Sequence, residues 1–247
     1  MRETRILMGM PITVEIVGTS HSSIIELVFA YFRAVDARFS TYKESSEISR
    51  FNRGEISPEN LSENMKEVLR ISAQTRDQTK GFFEIRKPDG SLDPSGIVKG
   101  WAIKHAAGMI SAAGLHDFYV EAGGDIQASG KNEDAGEWRV GIRSPFVMDQ
   151  IIKVVTLRGQ GMATSGNYIR GDHIYNPHDP AKRIEHIVSL SVIGPDILEA
   201  DRFATAAFAM GEDGIAFLEN RTGLEGYMVT ADGIATQTSG FGAYVIS

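Results

Sequence analysis

Asp93-Pro94-Ser95-Gly96-Ile97-Val98-Lys99-Gly100-Trp101-Ala102 places a carboxylate, a turn and a glycine ahead of what reads as the first turn of an apolar helix, with a lysine set into that turn. The first N–H groups of a helix lack partners within it and carry partial positive charge, so a loop of this composition suits phosphate. The lysine adds a full charge. The string fits equally well a tight turn in which Asp93 caps a core helix. Three other stretches bear on the choice: Glu121-Ala122-Gly123-Gly124-Asp125, Ala163-Thr164-Ser165-Gly166-Asn167-Tyr168, and Ala200-Asp201-Arg202-Phe203-Ala204-Thr205-Ala206.

Upstream of the lysine turn, β-branched residues alternating with Thr13 and Glu15 predict a strand over residues 6–17. A helix follows from Ser22 or Ser23 to about Arg38, with Ile24, Leu27, Val28, Tyr31 and Val35 on one stripe. Residues 39–52 read as a polar loop with aromatics and a short helical turn. Ser62 caps a helix over 63–79 that Gly81 stops, and a short strand is expected over 82–85. The helix that begins near Ile97 runs to about Ala113, with Gly114 as its stop.

Downstream the texture changes to strands over 118–122, 126–130, 138–142 and 151–157, whose spacing and intervening glycines predict antiparallel hairpins. Another strand is expected over 186–193. Pro195-Asp196 then introduces a helix to about Met210, a short helix fits 213–221, and a hairpin turning at 231–233 closes the chain. This texture speaks against a doubly wound sheet and is compatible with an α+β fold.

The 247 residues, 42% hydrophobic and 23% charged, suffice for a sizeable core. No linker, repeat or low-complexity stretch divides the chain, so residues 1–247 are expected to act as one domain. A net charge of −7, without a basic run, speaks against a nucleic-acid partner. Cysteine is absent, which excludes disulfides, thiolate nucleophiles and Cys-bound zinc. With no membrane-span pattern, and neither an apolar leader nor a lipid-anchor cysteine near Met1, a cytoplasmic location is expected.

Asp201 and Thr205 are four apart on an apolar helix and share a face. A carboxylate and a hydroxyl aimed together make a hard-oxygen site for Mg²⁺, which takes few protein ligands and fills its shell with water and phosphate. The same pair also reads as an ordinary helix-surface pair. Gly123-Gly124-Asp125 at a strand end permits close approach of the backbone to a ligand, or forms a bulge. His173 is a candidate acid, base or phosphate donor.

Taken as an ordered set, these features resemble the ApbE family of FAD:protein FMN transferases. The matching elements are Met8-Gly9, Phe39-Ser40 with Tyr42, Ser49-Arg50 with Asn52, Gly81 with Phe83, Asp93 to Gly100, Gly123-Gly124-Asp125, Thr164-Ser165-Gly166-Asn167, His173-Ile174, and Ala200-Asp201 to Ala206. Three positions depart from the family's usual pattern: Met10 stands for threonine, Glu84 for aspartate, and Asn176 for aspartate before a proline.

The resemblance implies a T-fold-like arrangement of mixed or antiparallel sheets packed by helices, with FAD in a cleft between two joined halves. It further implies Mg²⁺-dependent cleavage of FAD, attachment of FMN through a phosphoester to a threonine of an acceptor protein of flavin-dependent electron transfer, and release of AMP. On that pattern Asp201, Thr205 and the Gly96 carbonyl would hold the metal. Asp93 and Lys99 would contact FAD, Met8 and Tyr42 would flank a ring, and Phe83, Glu84, Ile85, His173 and Ile174 would line the cleft, with His173 and Asp201 as the catalytic candidates. Two rival readings share these residues: a non-catalytic FAD-binding or flavin-delivery protein, and an Mg²⁺-dependent FAD pyrophosphatase yielding FMN and AMP.

Overall fold

A computed structural model describes residues 1–18, 22–167, 174–181 and 183–246. The chain opens with the hairpin β1 (Arg2–Leu7) and β2 (Met10–Ile16), where a single strand over 6–17 is expected from the sequence. The reason is local. Met8 and Gly9 take φ of 53° and 74°, the pair of positive values that closes a two-residue hairpin loop, and Leu7 pairs with Met10.

Helices α1 (Ser22–Phe39), α2 (Glu47–Asn52) and α3 (Glu63–Gln78) follow. Ser46 and Ser62 cap the latter two by accepting the N–H of Ser49 and Met65. Residues 82–85 do not form the expected strand. They bend at Phe82 and Phe83 and have no ladder partner, and Arg86 alone bridges Leu92. Helix α4 (Ser95–Ala112) starts two residues earlier than the apolar pattern suggests.

Next come β3 (Phe118–Ala122), β4 (Asp125–Ser129), β5 (Trp138–Arg143), β6 (Ile151–Leu157), β7 (Gly161–Gly166), β8 (Ile187–Gly194), α5 (Ile197–Ala209), α6 (Asp213–Glu219), β9 (Glu225–Thr230) and β10 (Ala235–Gln237). Strand β7 takes in the Ala163-Thr164-Ser165-Gly166 run, read from sequence as a hydroxyl-bearing segment without assigned structure. The second arm of the last hairpin ends at Gln237, and a 3₁₀ turn over Phe241–Tyr244 replaces its continuation.

Eight strands form one sheet in the order β1-β2-β3-β4-β7-β8-β9-β10, and β5 with β6 form a second, two-stranded sheet. Every strand pairing is antiparallel. Period-two alternation sends side chains to opposite faces of the large sheet. Ile12, Val14, Val120 and Leu190 join the helix-side core with Trp101, Ile103 and Phe208. Ile126, Met162, Ile193 and Val229 point the other way, where Trp138, Ile142, Val155 and Leu157 of the two-stranded sheet cover them with Phe241. The layers are thus helices, large sheet, and a small hairpin over part of the far face. No helix among the described residues is long and apolar enough to cross a membrane.

Helices α4 and α5 touch through Gly100. A Cβ there would lie 2.8 Å from the Asp201 Cβ and 2.9 Å from the Ile197 carbonyl oxygen, closer than real contacts allow. Gly108, further along α4, meets nothing within 4 Å. Gly100→Ala is therefore expected to cost about 1–3 kcal/mol by overpacking. Gly108→Ala should gain about 0.5–1 kcal/mol of helix propensity. Denaturant unfolding of the two variants beside the parent checks the pair, and equal effects would contradict the close approach at Gly100.

Candidate functional site

The site is assembled from hairpin turns and helix ends. Gly123 and Gly124 take φ of 58° and 98° and form the loop between β3 and β4, so the Gly123-Gly124 pair is a tight turn rather than a bulge. That turn fixes Asp125 as the first residue of β4. The Gly123 N–H donates to the Pro11 carbonyl at 3.1 Å, so this turn lies beside the Met8-Gly9 turn at the same end of the sheet. The N-terminus of α4 and the middle of α5 meet there too, α5 being capped by Asp196, which accepts the Glu199 N–H at 3.1 Å.

Between these parts lies a cavity of about 740 Å³, within the span of roughly 300–1,000 Å³ usual for small-molecule sites. Its walls combine Gly9, Met10 and Pro11 of the first hairpin with Ser95, Gly96 and Lys99 of α4, and Asp201, Thr205 and Ala209 of α5. Val140 to Arg143 of β5, Ile126, Met162, Thr164 and Ser165 of the large sheet, and residues 82–85 with Ile174 and Tyr175 complete it. Polar groups gather at the α4 and α5 end, while Ile126, Val140, Ile142 and Met162 form an apolar stretch of wall.

Three charges define the polar end. The Lys99 Nζ lies 2.5 Å from Asp125 Oδ2 and 3.7 Å from Asp201 Oδ1. Asp125 is 1% exposed and its Oδ1 accepts the Thr164 N–H at 3.1 Å; Asp201 is 3% exposed. Burial pushes the Asp201 carboxyl up to about 7, with the Asp125 charge adding to the rise, while Lys99 and the Gly100 N–H act against it. When Asp201 is ionised, two carboxylates face one ammonium and leave an excess of negative charge.

The Asp201 Oδ2 accepts the Gly100 N–H at 2.8 Å. A carbonyl oxygen has two lone pairs, so the Gly96 oxygen in the first turn of α4 retains acceptor capacity beyond one helical bond. A Cβ on Gly96 would sit 3.5 Å from Thr205 Cγ2. A carboxylate, a hydroxyl and a carbonyl are hard oxygens, and the surplus negative charge fits a divalent cation. Among the described residues no cluster of three or more His, Cys, Asp or Glu could hold a metal. A cation on this set therefore depends on water and phosphate for the remainder of its shell.

Just before α4, Asp93 pairs with Lys87 Nζ at 3.0 Å and accepts the Ser95 N–H at 3.2 Å. Burial alone would raise the Asp93 carboxyl, but Lys87 and Ser95 outweigh it and hold it below its ordinary value. Asp93 thus closes an Asx-type turn ahead of α4, whose N-cap is Pro94.

The cavity brings together Phe83, Glu84, Ile85, Asp93, Gly96, Lys99, Ile174, Asp201 and Thr205. It does not include Met8 or Tyr42. Met8 packs partly buried against the core at the hairpin turn, leaving its neighbours Gly9 and Met10 on the wall. Tyr42 is 97% exposed and approaches the site only near Lys87, whose charge it influences. His173 lies outside the described residues.

Asp125, Lys87, Arg143 and Thr164 line the cavity without having been given a role from the sequence. For Asp125 the signal was present in the glycine pair before it. For Arg143 there was none, because its position depends on a hairpin folded over from the far face. Of the departures, Met10 is on the wall, Glu84 pairs with Arg76 Nε at 2.8 Å, and Asn176 Oδ1 accepts the His178 N–H at 2.9 Å. His178 in turn bonds the Lys80 carbonyl at 2.9 Å and so ties its segment to the residues that follow α3.

The chain matches the model of the ApbE family over residues 8–87 and 84–228. It is 27% identical to the FAD:protein FMN transferase of Escherichia coli (strain K12) over 266 residues, covering 83% of this chain and 76% of that one. It is 24% identical to the Haemophilus influenzae FAD:protein FMN transferase, over 87% and 81% of the two chains. The solved flavin transferase ApbE from Vibrio cholerae superposes with a TM-score of 0.86 at 22% identity, over 99% of this chain and 98% of that one. The ApbE protein from Thermotoga maritima gives a TM-score of 0.86 at 19% identity, over 100% and 99%. The α+β architecture, the antiparallel sheets and the ordered motifs agree with these matches, and the chain belongs to the ApbE family.

Proposed function

We propose that this chain cleaves FAD in an Mg²⁺-dependent reaction and transfers the FMN half to a threonine of an acceptor protein of flavin-dependent electron transfer, releasing AMP. The observation that carries the reading is the meeting of the α4 N-terminus, Lys99, Asp201 and Thr205 at one end of a cavity whose remaining wall includes an apolar stretch. A diphosphate matches the charged end and a flat ring system matches the apolar stretch. The names carried by the relatives from Escherichia coli and Haemophilus influenzae support the same reaction.

In this reading Asp201, Thr205 and the Gly96 carbonyl hold Mg²⁺, which supplies neutralisation of phosphate charge when bound. The chain's own groups do the remaining work. Ser95 and Gly96 of the first turn of α4 line the cavity, and the partial positive charge of that helix end favours phosphate oxygens there. Asp125 holds Lys99 in place, and the ammonium, with three donors, can bond phosphate without leaving that carboxylate. The threonine oxygen forms a bond to the FMN phosphorus and the bond to the bridging oxygen breaks. AMP leaves with that electron pair, and the hydroxyl proton passes to solvent. Holding the two reactants in line is the largest contribution expected of the walls.

The chain's own Thr236 and Thr238 lie in a stretch that loosely resembles the threonine motif of flavin acceptors. Thr238 is buried and its hydroxyl is engaged with Glu225 and with the Gly226 N–H at 2.9 Å. Self-modification at Thr238 would require opening that turn, and Thr236 is held in the β10 ladder opposite Met228, so a separate acceptor is the better reading. Incubation with FAD, Mg²⁺ and a threonine-bearing acceptor, followed by intact-mass measurement, tests the function. An acceptor gaining the mass of FMN with equimolar AMP supports transfer. AMP with free FMN alone marks a pyrophosphatase, and bound, uncleaved FAD marks a carrier.

Asp201→Ala should lower AMP release by about two to four orders of magnitude, whereas Asp213→Ala, at the first turn of α6, should leave it unchanged. Steady-state AMP release against Mg²⁺ concentration checks both, with parent-like release from folded Asp201→Ala counting against the assignment.

The raised carboxyl gives a second expectation, for the metal-free protein. The folded chain keeps a proton on Asp201 up to about pH 7, while the unfolded chain releases it near the ordinary 3.8. Between these values the folded state binds more protons, so this group's contribution to stability falls as pH rises from about 4 to about 7. Asp201→Asn should remove that slope in chelator-treated protein followed by thermal unfolding across the range. A slope unchanged by the substitution would assign it to other groups.

A further inference from the structure

Strand β5 of the two-stranded sheet contributes Val140 to Arg143 to the cavity wall, and one of its edges is open among the described residues. Val155 bridges Val245, and the Ile246 N–H donates to the Val154 carbonyl at 3.1 Å. In an antiparallel ladder the N–H and C=O of one residue point to the same side and alternate along the strand. Val154 and Thr156 therefore bond toward the C-terminal segment, and Val155 and Leu157 bond toward β5. Gly141 and Arg139, opposite Val154 and Thr156, consequently direct their N–H and C=O groups away from β6. Among the described residues no strand pairs with β5 on that side. Gly141 is both exposed and part of the cavity wall.

The loop at the end of this hairpin carries large apolar side chains in water. Met148 is 89% exposed and Phe146 55%. A Cβ on Gly233 would lie 3.9 Å from the Phe146 ring, so the β9–β10 turn, with Ile234 62% exposed, adjoins the same patch. A patch contributed by two loops, one of them following the wall residue Arg143 in the chain, marks an interaction surface rather than scattered exposure.

We propose that the open edge of β5 receives an extended segment of the acceptor protein as an added strand, with the Phe146 and Met148 loop as the apolar anchor beside it. The proposal rests on the transferase reading, which requires a protein hydroxyl to reach the phosphate end of the cavity. An unpaired strand edge that is itself a cavity wall meets that need, because main-chain hydrogen bonds hold the segment in register whatever its side chains are. Alternate side chains of an added strand point to opposite faces, so a hydroxyl-bearing residue is turned into the cavity while its neighbours face out toward the apolar loop. A segment docked this way also covers the cavity mouth and keeps competing water away from the phosphorus.

The test varies the concentration of a recombinant threonine-bearing acceptor domain at saturating FAD and Mg²⁺ and reads FMN transfer by mass. Arg139→Pro removes an outward N–H from the edge, and Arg139→Ala keeps it. Phe146→Ser with Met148→Ser strips the anchor. The expected result is an acceptor KM raised about tenfold or more by Arg139→Pro and by the double substitution, with no change for Arg139→Ala. FAD affinity, AMP release without acceptor, and unfolding temperature should match the parent. An unchanged acceptor KM in folded Arg139→Pro and Phe146→Ser/Met148→Ser protein overturns the proposal, as does an Arg139→Ala effect as large as that of Arg139→Pro. A parent dimer that the double substitution dissociates without altering acceptor KM would assign the patch to a second copy of this chain instead. If the parent binds FAD but transfers no FMN, the transferase reading itself fails and the docking proposal falls with it, a result distinct from an unchanged KM.

Discussion

The Lys99 ammonium shared by Asp125 and Asp201 is the interaction on which the arrangement of this protein depends. It joins α4, the β3–β4 turn and α5, three elements far apart in sequence, at the point where the helix layer meets the end of the sheet. Taken alone it is a poor source of stability, because two almost fully buried carboxylates and a largely buried ammonium give up most of their hydration. The imbalance of charge makes it poorer still. Such a cluster is tolerated where a ligand relieves it, and the burial of Asp201 with a carboxyl raised to about 7 is the imprint of that deficit.

The surrounding architecture keeps this cluster in place. Gly100 lets α4 approach α5 closely enough for its N–H to reach Asp201, and the helix-to-helix contact leaves no space there for a side chain. The Gly123-Gly124 turn sets Asp125 at the first position of β4, and the Thr164 N–H on β7 secures its other oxygen. Asp93, with Lys87 and Ser95, shapes the entry to α4 so that its first turn faces the cavity. Each of these small residues or caps has a geometric task that a larger or apolar residue could not perform.

Much of this was legible in the sequence, and the part that was not has physical causes. Helices α3 and α5 announce themselves through the Ser62 and Asp196 caps, apolar periodicity and glycine stops. The Asp201 and Thr205 spacing places both on one face. The Met8-Gly9 turn was hidden because β-branched residues flank it on both sides, so the hairpin read as one strand. Residues 82–85 have strand-like composition but no partner strand, which only the tertiary fold decides. The two-stranded sheet was visible as strands, yet nothing local reveals that it folds over the far face and brings Val140 to Arg143 to the cavity. Tyr42 and Met8 matched family motifs, while their side chains stand off the wall.

On the proposed reading, the negative charge that Asp201 and Asp125 place around Lys99 is neutralised by a divalent cation at Asp201. The most direct measurement is a carbon-13 NMR titration of the Asp201 side-chain carboxyl, assigned by comparison with Asp201→Asn, with and without saturating Mg²⁺. The account predicts a midpoint near 7 in metal-free protein that moves below the ordinary carboxylate value when Mg²⁺ is present. A midpoint that Mg²⁺ leaves where it was, in protein shown to be folded, would contradict it.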